Sequence, residues 1–484
     1  MAPHALLLPY PAQGHVIPFM ELAHLLLDRG FAVTFVNTEF NHRRVVDAAA
    51  AAASSGGGRL RLVGVADGMG EGEDRDNLVR LNSAMQEAVP PQLDALLDGG
   101  DGEGLLGRVT CVVVDVGMSW ALDAAKRRGL PTAALWPASA SALAVLLGAK
   151  KLIRDGVIDD DGAPTKKLLD EDNSWFRLAE STPPMDATFL AWNYMMGSRD
   201  AARMVFHYLT TTAWAAASKA DVLLCNTFEE LEPAVFAAQQ QQHSPASPSI
   251  LPIGPLRTWQ RGSAAPAVVG HFWHADEDAC LAFLDAQPHG SVVYVAFGSL
   301  TVMSPAQLEE LGAALGSSGR PFLWVFRPGL AGAVPAAVAD LVAKANHGGR
   351  GKVVGWAPQE RVLAHPAVGC FVTHCGWNST LEGVRAGVPL LCWPYFTDQF
   401  ANQTYICDVW RVGLRVPAAT EDGGGGGGVV SRERIVETLE SLMGDGGVKE
   451  RVQRLKGLAE RSMSGEGRSL MNLKAFIEAM SGEV

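Results

Sequence analysis

Trp356–Gln399 reads WAPQERVLAHPAVGCFVTHCGWNSTLEGVRAGVPLLCWPYFTDQ. Within it, Gly369-Cys370-Phe371-Val372-Thr373 is a short apolar, β-rich run that predicts a strand ending at His374. Cys375-Gly376-Trp377-Asn378 reads as a turn, and a helix is predicted from Ser379. A strand, a histidine, a turn and a helix in that order place backbone N–H groups and an imidazole at a helix N-terminus, an arrangement that attracts anions. Ser379-Thr380-Leu381-Glu382 also fits a capping box, with Ser379 at the N-cap and Glu382 three positions on. A carboxylate can cap a helix and accept from a ligand hydroxyl at once, so both roles stand for these two residues.

Outward from this stretch, short apolar runs alternate with helix-length segments. Before the middle of the chain they are Ala5–Leu8, Ala32–Val36, Leu60–Val63, Val109–Val114, Thr132–Leu135 and Val222–Leu224. After it they are Ser291–Phe297, Phe322–Phe326, Lys352–Val354, Gly369–Thr373, Val388–Cys392 and Gly413–Val416. Continuously apolar strands are covered on both faces, and alternation with helices makes βαβ units and parallel sheets. Two such series predict an α/β protein of two doubly wound domains, with a Ser- and Pro-rich junction near Ser244–Arg261. The expected boundaries are 1–250 for the first domain, 251–275 for a linker, 276–455 for the second domain and 456–484 for a C-terminal helix. A ligand held between such domains meets the carboxyl ends of both sheets.

Composition narrows the partners. The chain has 484 residues, 48% hydrophobic and 19% charged, with a net charge of −12, which argues against nucleic acid or an anionic membrane surface. The seven cysteines include no CxxC pair, so neither a zinc site nor a disulfide framework is expected, and reduced cytosolic thiols are the simplest reading. The N-terminus, MAPHALLLPYP, has no basic leader, and the uncharged Thr132–Ala149 reads better as a strand followed by a helix than as a membrane span. Gly423–Gly428 reads as a flexible loop. Asp159-Asp160-Asp161, in a turn-rich loop, and His271 and His274, near the junction, form no ligand cluster, so no metal is expected. No GxGxxG and no GxxxxGK[ST] occurs, which argues against a dinucleotide-dependent oxidoreductase and a P-loop nucleotidase.

The Trp356–Gln399 stretch resembles, without a gap, the signature box of the plant family 1 UDP-dependent glycosyltransferases, which make secondary-product glycosides. The resemblance implies two Rossmann-like domains facing across a cleft, the GT-B arrangement, with the final helix returning to the N-terminal domain. It also implies a UDP-sugar donor and no cofactor. Trp356 suits stacking on uracil, with a core tryptophan as the alternative, and the Gln359 amide is placed near the nucleoside. Glu382 would accept from the ribose hydroxyls. His374, Asn378, Ser379 and the helix N–H groups would hold the diphosphate, joined by Ser299 of the Gly298-Ser299 turn. Trp377, Asp398 and Gln399 would contact the sugar, Gln399 going with a glucose preference. Ser304, before Pro305, is read only as a helix cap.

Glycosyl transfer needs a base for the acceptor hydroxyl. His15, in Tyr10-Pro11-Ala12-Gln13-Gly14-His15 after the first strand, matches the family's catalytic histidine, with Pro18 expected to open the next helix. A helix N-terminus disfavours the charged imidazole, as a base requires; a capping or core histidine is the bland alternative. Asp115, at the end of Cys111–Val114, matches the partner carboxylate and is otherwise an N-cap. The implied reaction is a single inverting displacement. Acceptor candidates are Trp136 and Ser139, the latter also a candidate sugar contact, and the aromatic, Met-rich stretch with Phe189, Trp192 and Met195–Met196; core packing is the alternative for each. The acceptor expected is a small lipophilic phenolic such as a flavonoid or monolignol, with terpenoids and hormones as alternatives. A monomeric cytoplasmic enzyme is the expectation. The rival reading is a UDP-sugar-binding regulatory protein without turnover.

Overall fold

The computed structural model describes residues 2–50, 58–99, 107–170, 174–193, 198–241, 249–256, 272–273, 275–327, 336–348, 350–417 and 428–481. Met195 and Met196, His271 and His274, the glycine run 423–427 and much of the Ser244–Arg261 junction lie outside them. The chain divides into two compact units, residues 1–273 with 461–484, and residues 274–460.

The first unit is built on a seven-stranded sheet. Its strands are β1 His4–Leu8, β2 Ala32–Thr38, β3 Leu60–Val65, β4 Cys111–Asp115, β5 Thr132–Trp136, β8 Val222–Cys225 and β9 Ile250–Pro252. They lie side by side in the order β3-β2-β1-β4-β5-β8-β9, every pair parallel. A two-stranded antiparallel hairpin, β6 Trp175–Phe176 with β7 Met185–Asp186, stands apart from it. The apolar runs are continuous because successive side chains enter two different cores. Leu6, Leu8, Val112, Val114, Ala134 and Trp136 face one, whereas Ala5, Leu7, Cys111, Val113, Ala133 and Leu135 face the other.

The C-terminal stretch is two helices, Gly446–Ser462 and Arg468–Ser481, separated by a break whose Gly467 lies too close to the Arg461 and Ser462 carbonyls for any Cβ. The last helix places Leu473, Phe476, Ile477 and Met480 in the second core of the first unit. Its Asn472 amide donates to the Pro252 carbonyl at 2.8 Å. Strand β9 was not apparent from sequence: three residues inside a Ser- and Pro-rich stretch carry too short a pattern, and only the edge position beside β8 defines it.

The second unit holds a six-stranded parallel sheet in the order β12-β11-β10-β13-β14-β15. The strands are β10 Val292–Ala296, β11 Phe322–Val325, β12 Gly351–Val354, β13 Val368–Thr373, β14 Leu390–Cys392 and β15 Gly413–Arg415. One face contributes Val293, Val295, Trp324, Cys370, Val372 and Leu391 to a single core. On the other, the Tyr294 and Phe371 rings stack with centroids 5.0 Å apart. All seven cysteines are free, and six are buried. Among the described residues no helix is long and apolar enough to cross a membrane. The uncharged Thr132–Ala149 stretch is β5 followed by the Ala140–Leu147 helix.

Candidate active site

In the first unit, β1 and β4 are hydrogen-bonded neighbours, with Leu8 opposite Val114. Their carboxyl ends therefore bring together residues 100 positions apart: His15 Nδ1 lies 2.7 Å from Asp115 Oδ2. Asp115 is wholly buried, while about a third of the His15 side chain, 32%, remains exposed. The other Asp115 oxygen, Oδ1, accepts the Gly117 N–H at 2.8 Å, so the aspartate caps the following turn and holds the histidine at once. With a carboxylate on Nδ1, that nitrogen carries the proton and Nε2 keeps its lone pair. The Tyr10 ring packs on the imidazole at 5.2 Å. Its hydroxyl donates to Asn82 Oδ1, and burial pushes its phenol well above the usual range.

The helix runs Gln13–Asp28 with Ala12 as N-cap, so Pro18 lies inside it rather than opening it. His15 is thus the third residue of the helix, still within the first turn, and its N–H donates to the Ala12 carbonyl at 2.9 Å.

In the second unit, strands in succession deliver side chains to one carboxyl edge. Trp356 follows β12, Arg327 follows β11, Ser299 follows β10, His374 follows β13, and Asp398 and Gln399 follow β14. Strands β10 and β13 pair Ala296 with Thr373, which sets the Gly298-Ser299 turn beside His374. A Cβ at either Gly298 or Gly376 would collide with His374 Nε2, so both positions require glycine. Burial lowers the His374 pKa to about 4, and its Nδ1 is buried with no hydrogen-bond partner among the described residues. A neutral imidazole with an uncommitted ring nitrogen therefore sits at this helix start. Cys375, next in sequence, holds a left-handed φ of 66°. Its carbonyl accepts from Asn402 at 2.9 Å and Thr380 at 3.3 Å, which fixes that conformation.

The helix itself spans Trp377–Ala386 with Gly376 as N-cap. The capping box expected at Ser379–Glu382 is therefore not formed: Ser379 is the third helical residue and Glu382 the sixth. A glycine cap carries no side-chain signal, and the cap lies three residues before the Ser379 that the sequence pattern favours. The Ser379 and Glu382 side chains instead bond to Gln359. Gln359 Nε2 donates to Ser379 Oγ at 2.9 Å and to Glu382 Oε2, while Tyr294 donates its hydroxyl to Gln359 Oε1 at 3.1 Å. Trp377 is nearly buried against Trp410, with ring centroids 6.4 Å apart, and Asn378, the next residue, is half-buried. The Asp398 carboxylate accepts from Thr397 at 3.0 Å and from Asn402 at 2.9 Å. Gln399 Oε1 accepts the Tyr395 and Phe396 N–H groups at 2.8 and 3.2 Å, which orients its amide oxygen toward the backbone.

Arg327, after β11, carries no local sequence signal of a site role. Its guanidinium lies 5.6 Å from the Trp356 ring centroid and donates to the Ser299 carbonyl, joining the tryptophan to the Ser299 turn. Nothing local in the sequence points to such a link, because its partners lie 28 and 29 residues away. Ser304 caps the Pro305–Ser317 helix through the Gln307 N–H at 3.2 Å.

The candidate acceptor wall is rearranged. Trp192 is fully buried, packs on Phe206 at 4.9 Å and donates its indole N–H to Gly162 at 2.7 Å. It is a core residue and offers a ligand no surface. Ser139 is also buried; its hydroxyl caps the Ala140–Leu147 helix at Ala142 and lies 3.1 Å from Ser141 Oγ, so it is committed to the cap rather than to a sugar. Trp136 is nearly buried and donates to the Ser139 carbonyl at 2.9 Å. The start of the Ala140–Leu147 helix is locked by Glu232, which accepts the Ala140 and Ser141 N–H groups at 2.9 and 2.8 Å and the Thr227 hydroxyl at 2.7 Å. Burial raises its carboxyl pKa in spite of these bonds. Phe189 alone of the four keeps a substantial part of its surface. Asp159 Oδ1 accepts the Asp161 and Ala163 N–H groups, and among the described residues no group of three or more metal-ligating side chains occurs.

Residues 272–458 match the family described as UDP-glucoronosyl and UDP-glucosyl transferase. UDP-glycosyltransferase 83A1 of Arabidopsis thaliana is 36% identical over 490 residues, covering 100% of this chain and 97% of that relative. The (R)-mandelonitrile beta-glucosyltransferase of Prunus dulcis is 35% identical, covering 98% of this chain and 96% of its own. Among solved structures, Medicago truncatula UGT71G1 complexed with UDP-glucose superposes with a TM-score of 0.78 at 26% identity, covering 99% of each chain.

Proposed function

The chain belongs to the plant family 1 UDP-dependent glycosyltransferases, and from that premise we propose that it transfers glucose from UDP-glucose to a hydroxyl of a small lipophilic acceptor, with inversion. The observation that carries this reading is the 2.7 Å contact between part-exposed His15 and buried Asp115. His15 Nε2 takes the proton of the acceptor hydroxyl as its oxygen attacks the anomeric carbon. The bond from that carbon to UDP breaks on the opposite side, and UDP leaves with the bonding pair. Asp115 holds the ring tautomer and stabilises the imidazolium that forms.

The developing charge on UDP is met by the N–H groups at the start of the Trp377–Ala386 helix, by neutral His374, and by Asn378, Ser379 and Ser299. A buried imidazole nitrogen with no partner among the described residues supports His374 as a hydrogen-bonding group rather than a cation. Trp356 stacks on uracil, and Glu382, steadied by Gln359, accepts from the ribose hydroxyls. Trp377, Asp398 and Gln399 contact the sugar.

The acceptor of choice is a phenolic such as a flavonoid or monolignol. Phe189 is the strongest of the wall candidates, and a relative named for mandelonitrile fits a small acceptor. The test is incubation of purified protein with UDP-glucose and a panel of phenolic, terpenoid and hormone acceptors, followed by NMR of the anomeric proton in the product. β-Glucosides of phenolics are expected from this α-linked donor. Glucosides of α configuration would contradict inversion, and turnover of terpenoids alone would contradict the phenolic assignment.

A further inference from the structure

The long helix Arg199–Lys219 carries Tyr208, whose hydroxyl donates to the Gly117 carbonyl at 2.6 Å. Gly117 belongs to the turn that follows β4, and its N–H is the donor that holds Asp115 Oδ1 at 2.8 Å. Asp115 Oδ2 in turn holds His15 Nδ1 at 2.7 Å. One chain of hydrogen bonds thus runs from a helix more than 80 residues downstream to the imidazole. The chain has little slack. A Cβ on Gly117 would lie 3.2 Å from Asp115 Oδ1 and 3.4 Å from the Tyr10 ring. Burial lifts the Tyr208 phenol well above its usual range, with the nearby Asp115 charge adding to it, so the hydroxyl stays protonated and stays a donor.

We propose that Tyr208 is a positioning residue for the His15–Asp115 pair, acting through the Gly117 carbonyl. This rests on the reading of that pair as the base. Tyr208 fixes the turn from outside; the turn fixes one carboxylate oxygen; the other oxygen then has a single direction in which to meet His15. Without the phenolic hydroxyl, the Gly117–Met118 peptide is released, the turn that presents the Gly117 N–H loosens, Asp115 gains freedom, and the histidine spends less time with its Nε2 lone pair aimed at an acceptor hydroxyl.

The experiment is a double-mutant cycle on the full chain with UDP-glucose and the best acceptor found. Tyr208→Phe is expected to lower kcat about three- to tenfold, the range for one lost hydrogen bond, with the KM for UDP-glucose within about twofold of wild type. In an Asp115→Asn background the same substitution is expected to have no further effect, because the link it supports is already broken. Gly117→Ala, which crowds Asp115 Oδ1, serves as a second variant and is expected to give the same kcat-selective loss. Thermal midpoints recorded alongside separate positioning from loss of fold. An unchanged kcat in both Tyr208→Phe and Gly117→Ala overturns the proposal. So does a fall of equal size with Asp115 present or replaced. If instead His15→Ala itself retains full activity, the base assignment has failed, and that outcome is distinct from a failure of Tyr208.

Discussion

The two units share a parallel-sheet plan and use its carboxyl edge differently. In the second, adjacent strands β12, β11, β10, β13 and β14 each lead into a polar or aromatic side chain at that edge, and a network of further side chains surrounds them: Tyr294 bonds to Gln359, Gln359 to Ser379 and Glu382, and Asn402 to Asp398. In the first, β1 and β4 deliver one buried acid–histidine pair, and most of the aromatic candidates nearby are core. A nucleotide sugar is polar throughout and calls for many fixed donors and acceptors. A lipophilic acceptor calls for apolar walls and one base, and apolar walls are made of the residue types that also fill cores. Local chemistry therefore marks the first kind of site far more sharply than the second.

Substitutions distinguish the two kinds of site. Trp192→Ala is expected to act on stability alone, costing about 3–5 kcal/mol in chemical denaturation, as deletion of a buried ring does; a large change in acceptor KM in folded protein would return Trp192 to the wall. Asp115→Asn should lower kcat on the order of a hundredfold in steady-state assays and leave UDP-glucose binding intact. Glu382→Ala should do the reverse, weakening UDP-glucose binding about tenfold or more by calorimetry, with kcat changed far less.

The smallest effect concerns pH. His374 titrates at about 4 in the folded chain against an ordinary 6.5. The unfolded chain takes up a proton there that the folded chain refuses. Its contribution to stability is thus full above about pH 6.5 and declines as pH falls toward 4. UDP-glucose, which has no titrating group of its own in the range, should bind with the same affinity at pH 7.5 and pH 5.5. Tighter binding on acidification, with a midpoint near 6.5, would mean that His374 acts as a cation.

How far the site could be read from sequence follows the same contrast. The strands showed as apolar runs because both sheet faces are covered, and the histidine after β13 showed because strand, turn and helix are contiguous. His15 and Asp115 lie 100 residues apart, and a family resemblance rather than spacing linked them. What stayed hidden depends on distant partners or on missing side chains. Gly376 caps a helix without a side chain, Arg327 and Tyr208 find their partners across the fold, and β9 exists only by its place beside β8. Trp192 looked like a pocket wall because burial of an indole with its N–H on Gly162 leaves no local trace.

The most direct test of the central claim is to measure turnover and UDP-glucose binding on one preparation each of wild type and His15→Ala. A loss of kcat of about a hundredfold or more is expected, with binding of UDP-glucose unchanged, because the base and the donor contacts belong to different units. A His15→Ala protein that turns over at the wild-type rate, or that loses donor binding in step with activity, would contradict it.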